Sequence, residues 1–249
     1  STGRTGTKFL ADYFNSHPEI TATHEPKPSR ILRMWSMAYL EGKVSDSYML
    51  NVLRAKRKNI ISQLDTPVYL ESNPYLIGFA GLLPKVFKDP VIIHVVRDPR
   101  DFARSSINHG NSVGLKWFFN NYVPYWYPRV HKILGINKPQ RMEHRAAAYW
   151  KIANQHLAEV GQKSSNYHVI RFEDIFDGKR SGLKKIEKIL GIKMSSNDTS
   201  AVNKSKRSII SGWNDWSTEE CRTVNELCQP TMQRFGYGAE SEWKKRLKT

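Results

Sequence analysis

Cysteine is nearly absent: Cys221 and Cys228 are the two in a chain of 249 residues. Seven apart on a predicted helix, they share a face but stand ~10 Å apart along the axis, beyond the reach of a disulfide. The histidines are scattered, with no HExxH and no zinc-type Cys/His spacing, so no metal site is expected. Long apolar runs are also missing. The longest, around Val91–Val96, falls far short of the ~20 residues that span a bilayer. Carboxylates are outnumbered, 23 against 39 Lys and Arg, for a formal charge of +16. Such a field gathers anionic ligands. Nucleic acid, sulfated or carboxylated sugars, acidic peptides, anionic membranes and nucleotide cofactors all qualify, and charge alone does not choose among them. No secretory or transit peptide is visible, and the chain opens at Ser1 inside a motif rather than with Met. Localisation is therefore open, cytoplasmic if nothing upstream directs the chain elsewhere.

What is present suits a soluble globular protein. Hydrophobic residues make up 39% and charged residues 25%, enough for a core and too apolar for disorder. The length fits a single domain over residues 1–249. Short β-branched runs alternate with helical patterns. Strands are predicted at 20–24, 67–71, 91–96 and 167–171. Helices are predicted through Asn15 and over 29–41, 46–64, 75–87, 99–109, 139–161, 182–190 and 218–235. This alternation argues for an α/β fold, a parallel sheet flanked by helices on both faces. Residues 110–135 read as the least regular region and are dense in aromatics, suited to an acceptor lid or to a local core.

Ser1-Thr2-Gly3-Arg4-Thr5-Gly6-Thr7-Lys8 precedes an apolar helix. Its glycines permit a tight turn with inward N–H groups, and the helix start adds unpaired donors and a positive dipole end. Arg4, Thr5, Thr7 and Lys8 add side-chain donors suited to phosphate or sulfate. The Walker A pattern is not met, because Gly3 and Gly6 are three apart and Thr7 follows Gly6. A strand normally leads into such a loop, and the sheet's first strand is expected to lie outside the sequence, making the domain N-terminally truncated. A second anion site is expected after the run 91–96. There Arg97 meets a helix start capped by Asp98 and Pro99, with Ser105 two turns on.

Together these segments resemble the family of sulfotransferases that use 3′-phosphoadenosine 5′-phosphosulfate (PAPS). In that family a Lys/Arg-Ser/Thr-Gly-Thr-Thr loop holds the 5′-phosphosulfate, and an Arg with a Ser eight residues later holds the 3′-phosphate. Arg4-Thr5-Gly6-Thr7-Lys8, Arg97 and Ser105 match those elements, with Lys8 where Thr is usual. His168–Asp174 is similar to the family's strand ending in Tyr-Glu-Asp, with Phe172 in place of Tyr. Lys204, Ser205, Lys206 and Arg207, followed by Trp213 and a last helix, look like its cofactor-closing region, or else form a solvated basic loop.

The resemblance implies sulfuryl transfer from PAPS to a hydroxyl acceptor (a tyrosyl peptide, glycan or small molecule) by in-line displacement without a metal. Glu25, in Thr23-His24-Glu25-Pro26, stands where the tyrosylprotein and carbohydrate enzymes carry their base, with His24 as the alternative. Arg4 is expected to stabilise charge on the transferred group. Two other readings stand beside this one. A P-loop phosphoryl transferase would need magnesium and ATP. A non-catalytic polyanion-binding protein would explain the charge but not the paired motifs, and nucleic acid is not the expected partner.

Overall fold

The computed structural model describes residues 1–111, 114–138, 141–194 and 209–248. Helix α1 (Thr7–Phe14) leads to strand β1 (Ile20–His24), followed by α2 (Ser29–Leu40) and α3 (Asp46–Ile61). Strand β2 (Val68–Ser72) is followed by a 3-10 stretch, Pro74–Lys85, and by β3 (Ile92–Val96) and α4 (Pro99–Ser106). Then come α5 (Gly114–Tyr122), α6 (Val130–Leu134), α7 (Met142–Gly161) and β4 (Tyr167–Arg171). Helices α8 (Phe172–Ile175), α9 (Ser181–Leu190), α10 (Thr218–Arg234) and α11 (Ser241–Lys248) complete the described chain.

Every strand pairing among the described residues is parallel. β1 pairs with β2 from Ile20–Val68 to His24–Ser72, and β3 with β4 from Ile92–Tyr167 to Val96–Arg171. The expected sheet thus takes the form of two parallel pairs. One apolar layer joins them, because Ile20 of β1, Val95 of β3 and Ile170 of β4 share a core with Phe9, Phe14, Leu183 and Ile186. On the opposite face Val96 shares a core with Phe102, Trp150, Val224 and Met232, from α4, α7 and α10. Adjacent residues of one strand point into different cores, so β3 is apolar on both faces apart from His94, whose buried ring is hydrogen-bonded to Tyr167 and Asn154.

Some expectations needed correction. The helix expected over 75–87 is a 3-10 helix over Pro74–Lys85, with Pro84 interrupting α-type bonding. Residues 110–135 are more regular than expected and contain α5 and α6. The helix expected over 99–109 changes character after Ser106, and Gly110 takes φ 85°. Cys221 and Cys228 are both free and buried on α10.

Candidate active site

The opening turn is held in a conformation that ordinary residues resist. Gly3, Arg4 and Gly6 all have positive φ, 78°, 55° and 72°. A Cβ on Gly6 would approach the Phe176 ring to 3.2 Å, so glycine is required there by space as well as by φ. Gly6 caps α1 and its carbonyl takes the Leu10 N–H at 2.9 Å, leaving the amides of the first helical turn without intrahelical acceptors. Such a turn, with its N–H groups converging on a helix start, is an anion-binding concavity. The Thr5 hydroxyl is fully buried in it with no hydrogen-bond partner among the described residues.

The second segment arrives beside this turn. At the end of β3, Asp98 caps α4 by accepting from the Arg100 N–H at 2.8 Å, and Pro99 occupies the first helical position. Arg97 therefore sits in the strand–helix corner, and two turns of α4 carry Ser105 back towards the loop. Arg4 Nε donates to Ser105 Oγ at 3.3 Å, and Arg97 Nη1 donates to the Arg4 carbonyl at 2.8 Å. No carboxylate of the described residues lies within ion-pairing distance of either guanidinium, and Arg97 Nε has no acceptor. Burial, and then the neighbouring Arg97, lower the proton affinity of Arg4. Burial likewise lowers that of Arg97, partly offset by Asp101, Glu173 and Asp98. A desolvated pair of like charges with an orphaned donor and an orphaned hydroxyl is a receptor for an anion.

A buried network fixes the corner. Trp150 Nε1 donates to the Arg97 carbonyl at 2.7 Å, and the Asp98 N–H donates to Glu173 Oε1 at 3.2 Å. Tyr237 donates to the other Glu173 oxygen at 2.6 Å. Arg100 is 2% exposed, paired with Asp98 and with Glu240 at 2.9 Å, and its guanidinium carbon lies 4.6 and 4.7 Å from the ring centroids of Trp213 and Trp243. Phe172, where the sequence comparison expected a Tyr, lays its ring 4.2 Å from the Arg97 guanidinium carbon. That ring holds the guanidinium by cation–π attraction without taking any of its donors.

Glu25 stands just past β1, at the same carboxyl end of the strands. Its backbone is left-handed, φ 46°, and its N–H donates to the Ser72 carbonyl at 3.4 Å. His24 Nδ1 lies 3.1 Å from that carbonyl, which can only accept, so Nδ1 carries the proton. His24 Nε2 then faces Glu25 Oε1 at 3.8 Å. The opening turn is adjacent, because a Cβ on Gly3 would meet Pro74, two residues beyond Ser72, at 3.5 Å. Burial raises the Tyr75 hydroxyl's pKa; Arg33 opposes the shift and Glu25 adds to it, so this hydroxyl lies in the field of both. Arg33 also stacks on Trp126, 4.7 Å from the ring centroid.

Of the remaining sequence-predicted residues, Thr7 opens α1. The Lys8 side chain is turned to Asp12, 2.6 Å away on the helix exterior. Lys204, Ser205, Lys206 and Arg207 lie outside the described residues. No cluster of potential metal ligands occurs among the described residues.

A model described as the sulfotransferase family matches residues 1–196. The chain belongs to the sulfotransferase family. Sulfuryl transfer is the general chemistry that this membership brings. Among solved structures, this sulfotransferase is similar to a sulfotransferase from Alicyclobacillus acidocaldarius, with 15% identity over 98% of this chain and 96% of that one, at a TM-score of 0.56. It is also similar to the sulfotransferase domain from the curacin biosynthetic pathway, with 14% identity, 99% and 93% coverage and a TM-score of 0.49. At such identities the likeness to the first is one of fold, parallel strands flanked by helices. No curated protein matches the sequence.

Sequence reasoning missed Tyr75 and Arg33 as neighbours of the candidate site, whereas Glu173 lies in the segment His168–Asp174 and Tyr237 follows the last helix, both picked out by the resemblance. Asn73-Pro74, a capping residue before a helix-starting proline, was the available signal for Tyr75. Nothing local marks Arg33, whose position depends on α2.

Proposed function

We propose that this sulfotransferase, acting as a single domain, moves the sulfuryl group of PAPS to a hydroxyl acceptor, with Glu25 as general base. The observation that carries the reading is the meeting of Arg4, Arg97 and Ser105 beside the orphaned Thr5 hydroxyl. These donors fit a nucleotide with anions at both ends. Arg4, Thr5, Gly6, Thr7 and the Lys8 amide would hold the 5′-phosphosulfate, while Arg97 and Ser105 would take the 3′-phosphate, with Lys204, Ser205 and Lys206 closing over it. PAPS supplies a sulfuryl group already bonded to a good phosphate leaving group. The acceptor oxygen forms its bond to sulfur as the sulfur–oxygen bond to the 5′-phosphate breaks, and the acceptor proton passes to Glu25. Arg4 stabilises the charge left on the phosphate. His24, whose Nε2 lies 3.8 Å from Glu25 Oε1, is the alternative base. The left-handed backbones of Arg4 and Glu25 support the reading, because residues held in sparsely populated conformations cluster at working sites.

The test is transfer of label from PAPS to a panel of tyrosyl peptides, glycans, lipids and phenols, with the labelled atom mapped. Transfer without magnesium is expected; magnesium-dependent ATP turnover in its place would overturn the reading. Glu25→Gln should lower kcat about 10²-fold, in the range of a general base, with unchanged affinity for the product nucleotide PAP. Near-normal turnover would move the base to His24.

A further inference from the structure

A second concavity, of about 500 Å³, opens beside the candidate active site, within the size range of ligand pockets. It begins at Ser106, next to Ser105, and is walled by the segment between α5 and α6 and by the start of α7. The cations on it are not equivalent. Arg129 is bonded through two nitrogens to Glu41, at 2.9 and 2.5 Å. Arg141 is paired with Glu220. Arg145 and Lys138 have no carboxylate within 4 Å among the described residues. Arg145 is nevertheless held rigidly. It donates to Asn121 Oδ1 at 2.7 Å and to the Asn120 carbonyl at 2.5 Å, and its guanidinium lies 4.6 Å from the Tyr127 ring centroid. His131, on the same wall, has its pKa lowered by burial and then by Lys132, Lys138, Arg129 and Arg145.

The walls between these charges are aromatic. Tyr122 and Tyr125 line the cleft, and Tyr125 is held there at φ 59°, a strained conformation for so large a residue. The wall continues towards the candidate base. Asn120 Oδ1 accepts from Arg33 Nη2 at 3.3 Å, and Arg33 lies over the ring of Tyr75, whose hydroxyl senses Glu25. Flat ring faces and a fixed guanidinium suit a ligand that presents both a ring and an oxyanion. No strand edge of the described residues lines the cleft, so the backbone ladder by which extended peptides are captured is missing from its walls.

We propose that this cleft is an acceptor subsite for the carboxylate of an acidic saccharide, with Arg145 and Lys138 reading the charge and Tyr122 and Tyr125 the sugar ring. It rests on the sulfotransferase reading for the role of the ligand as acceptor, but not for its binding. The probes are trigalacturonate and its carboxyl-reduced form, titrated calorimetrically against the full chain at low ionic strength with PAP present. The uronate should bind about tenfold or more tightly than the neutral sugar, the scale of hydrogen bonds to a charged group. Arg145→Gln should remove most of that difference with PAP affinity unchanged. Lys138→Gln, at an exposed position, should narrow it without risk to the fold. Equal binding of the two sugars, no binding of either, or a ratio unmoved in both variants would overturn the subsite. So would Arg145-dependent binding of an acidic tyrosyl peptide where the uronate fails. Failure of PAP binding and label transfer alone, with discrimination intact, would overturn the PAPS reading and leave the subsite standing.

Discussion

Arg97 lies within reach of three carboxylate fields yet pairs with none, and its Nε is left without an acceptor. A buried donor in that condition costs stability unless something fills it. Arg97→Ala should therefore weaken PAP about 10-fold or more, the loss expected when a charge-assisted contact is removed, and leave acceptor KM nearly unchanged. Unaltered nucleotide affinity in a titration would remove Arg97 from the anion site. At Gly6 the constraint is steric and conformational together. Gly6→Ala must carry a methyl at φ 72° against Phe176, and a cost of about 1–3 kcal/mol is expected for strain of this kind. Chemical denaturation measures it directly. Arg4 and Gly6 were readable as site residues because loop, spacing and residue type agree locally. Arg145 was not, since its importance comes from Glu41 and Glu220 having neutralised its neighbours.

The elements that present the site are short, so their ends matter. Helix α10 is closed at its N-terminus by a reciprocal capping box, Ser217 Oγ accepting from the Glu220 N–H at 3.2 Å and Glu220 Oε2 from the Ser217 N–H at 2.6 Å. Its inner face, including Val224 and Cys228, packs on α7, which in turn holds Arg97 through Trp150. Ser217→Ala should cost about 1 kcal/mol, the usual worth of such a cap, and lower the thermal midpoint by about 2–4 °C for a domain of this size. A shift in PAP affinity of comparable size would show that α10 also tunes the site. The capping box and the glycine stop of α9 follow local chemistry and could be read in sequence. The 3-10 winding after Asn73 could not, because residues 74–85 carry an apolar pattern that an α-helix would satisfy as well. There the 3-10 stretch packs so closely on α2 that a Cβ on Gly78 would fall 2.8 Å from the Ser36 backbone.

Across the whole molecule the histidines that folding desolvates, fully at His94 and partly elsewhere, set a common acid limit. Four of the eight, His94, His131, His144 and His156, have pKa values lowered first by burial. His94 is the extreme case, pushed down to about 3. Asn154 Nδ2 donates to the Trp150 carbonyl, so its Oδ1 accepts from His94 Nε2, and His94 Nδ1 accepts from the Tyr167 hydroxyl. The neutral ring is thus fully satisfied. Groups whose folded pKa lies below the unfolded value bind protons preferentially in the unfolded chain, so stability is lost as pH falls below about 6.5. His94 alone contributes about 1.4 kcal/mol per pH unit between its unfolded and folded pKa values. Urea midpoints at pH 7.5 and pH 5 should differ in that direction, and equal midpoints would refute the burial argument.

By itself the sequence determined the chemistry of contact. It supplied the glycines that admit left-handed turns, the cations and hydroxyls suited to oxyanions, the apolar residues that flank His94 in β3 and the capped starts of α4 and α10. These follow from neighbours a few residues apart, where backbone sterics and hydrogen bonding act alone. Only the tertiary structure decided which of those groups share a site. Arg4 and Ser105 are 101 residues apart and meet because the opening turn and α4 converge at the carboxyl ends of parallel strands. Lys8, which stands where the motif usually has Thr, has the charge to join Arg4 at the anion, but its side chain is turned to Asp12. Which cations remain unneutralised is likewise a matter of partners distant along the chain, and no spacing rule in one dimension encodes it.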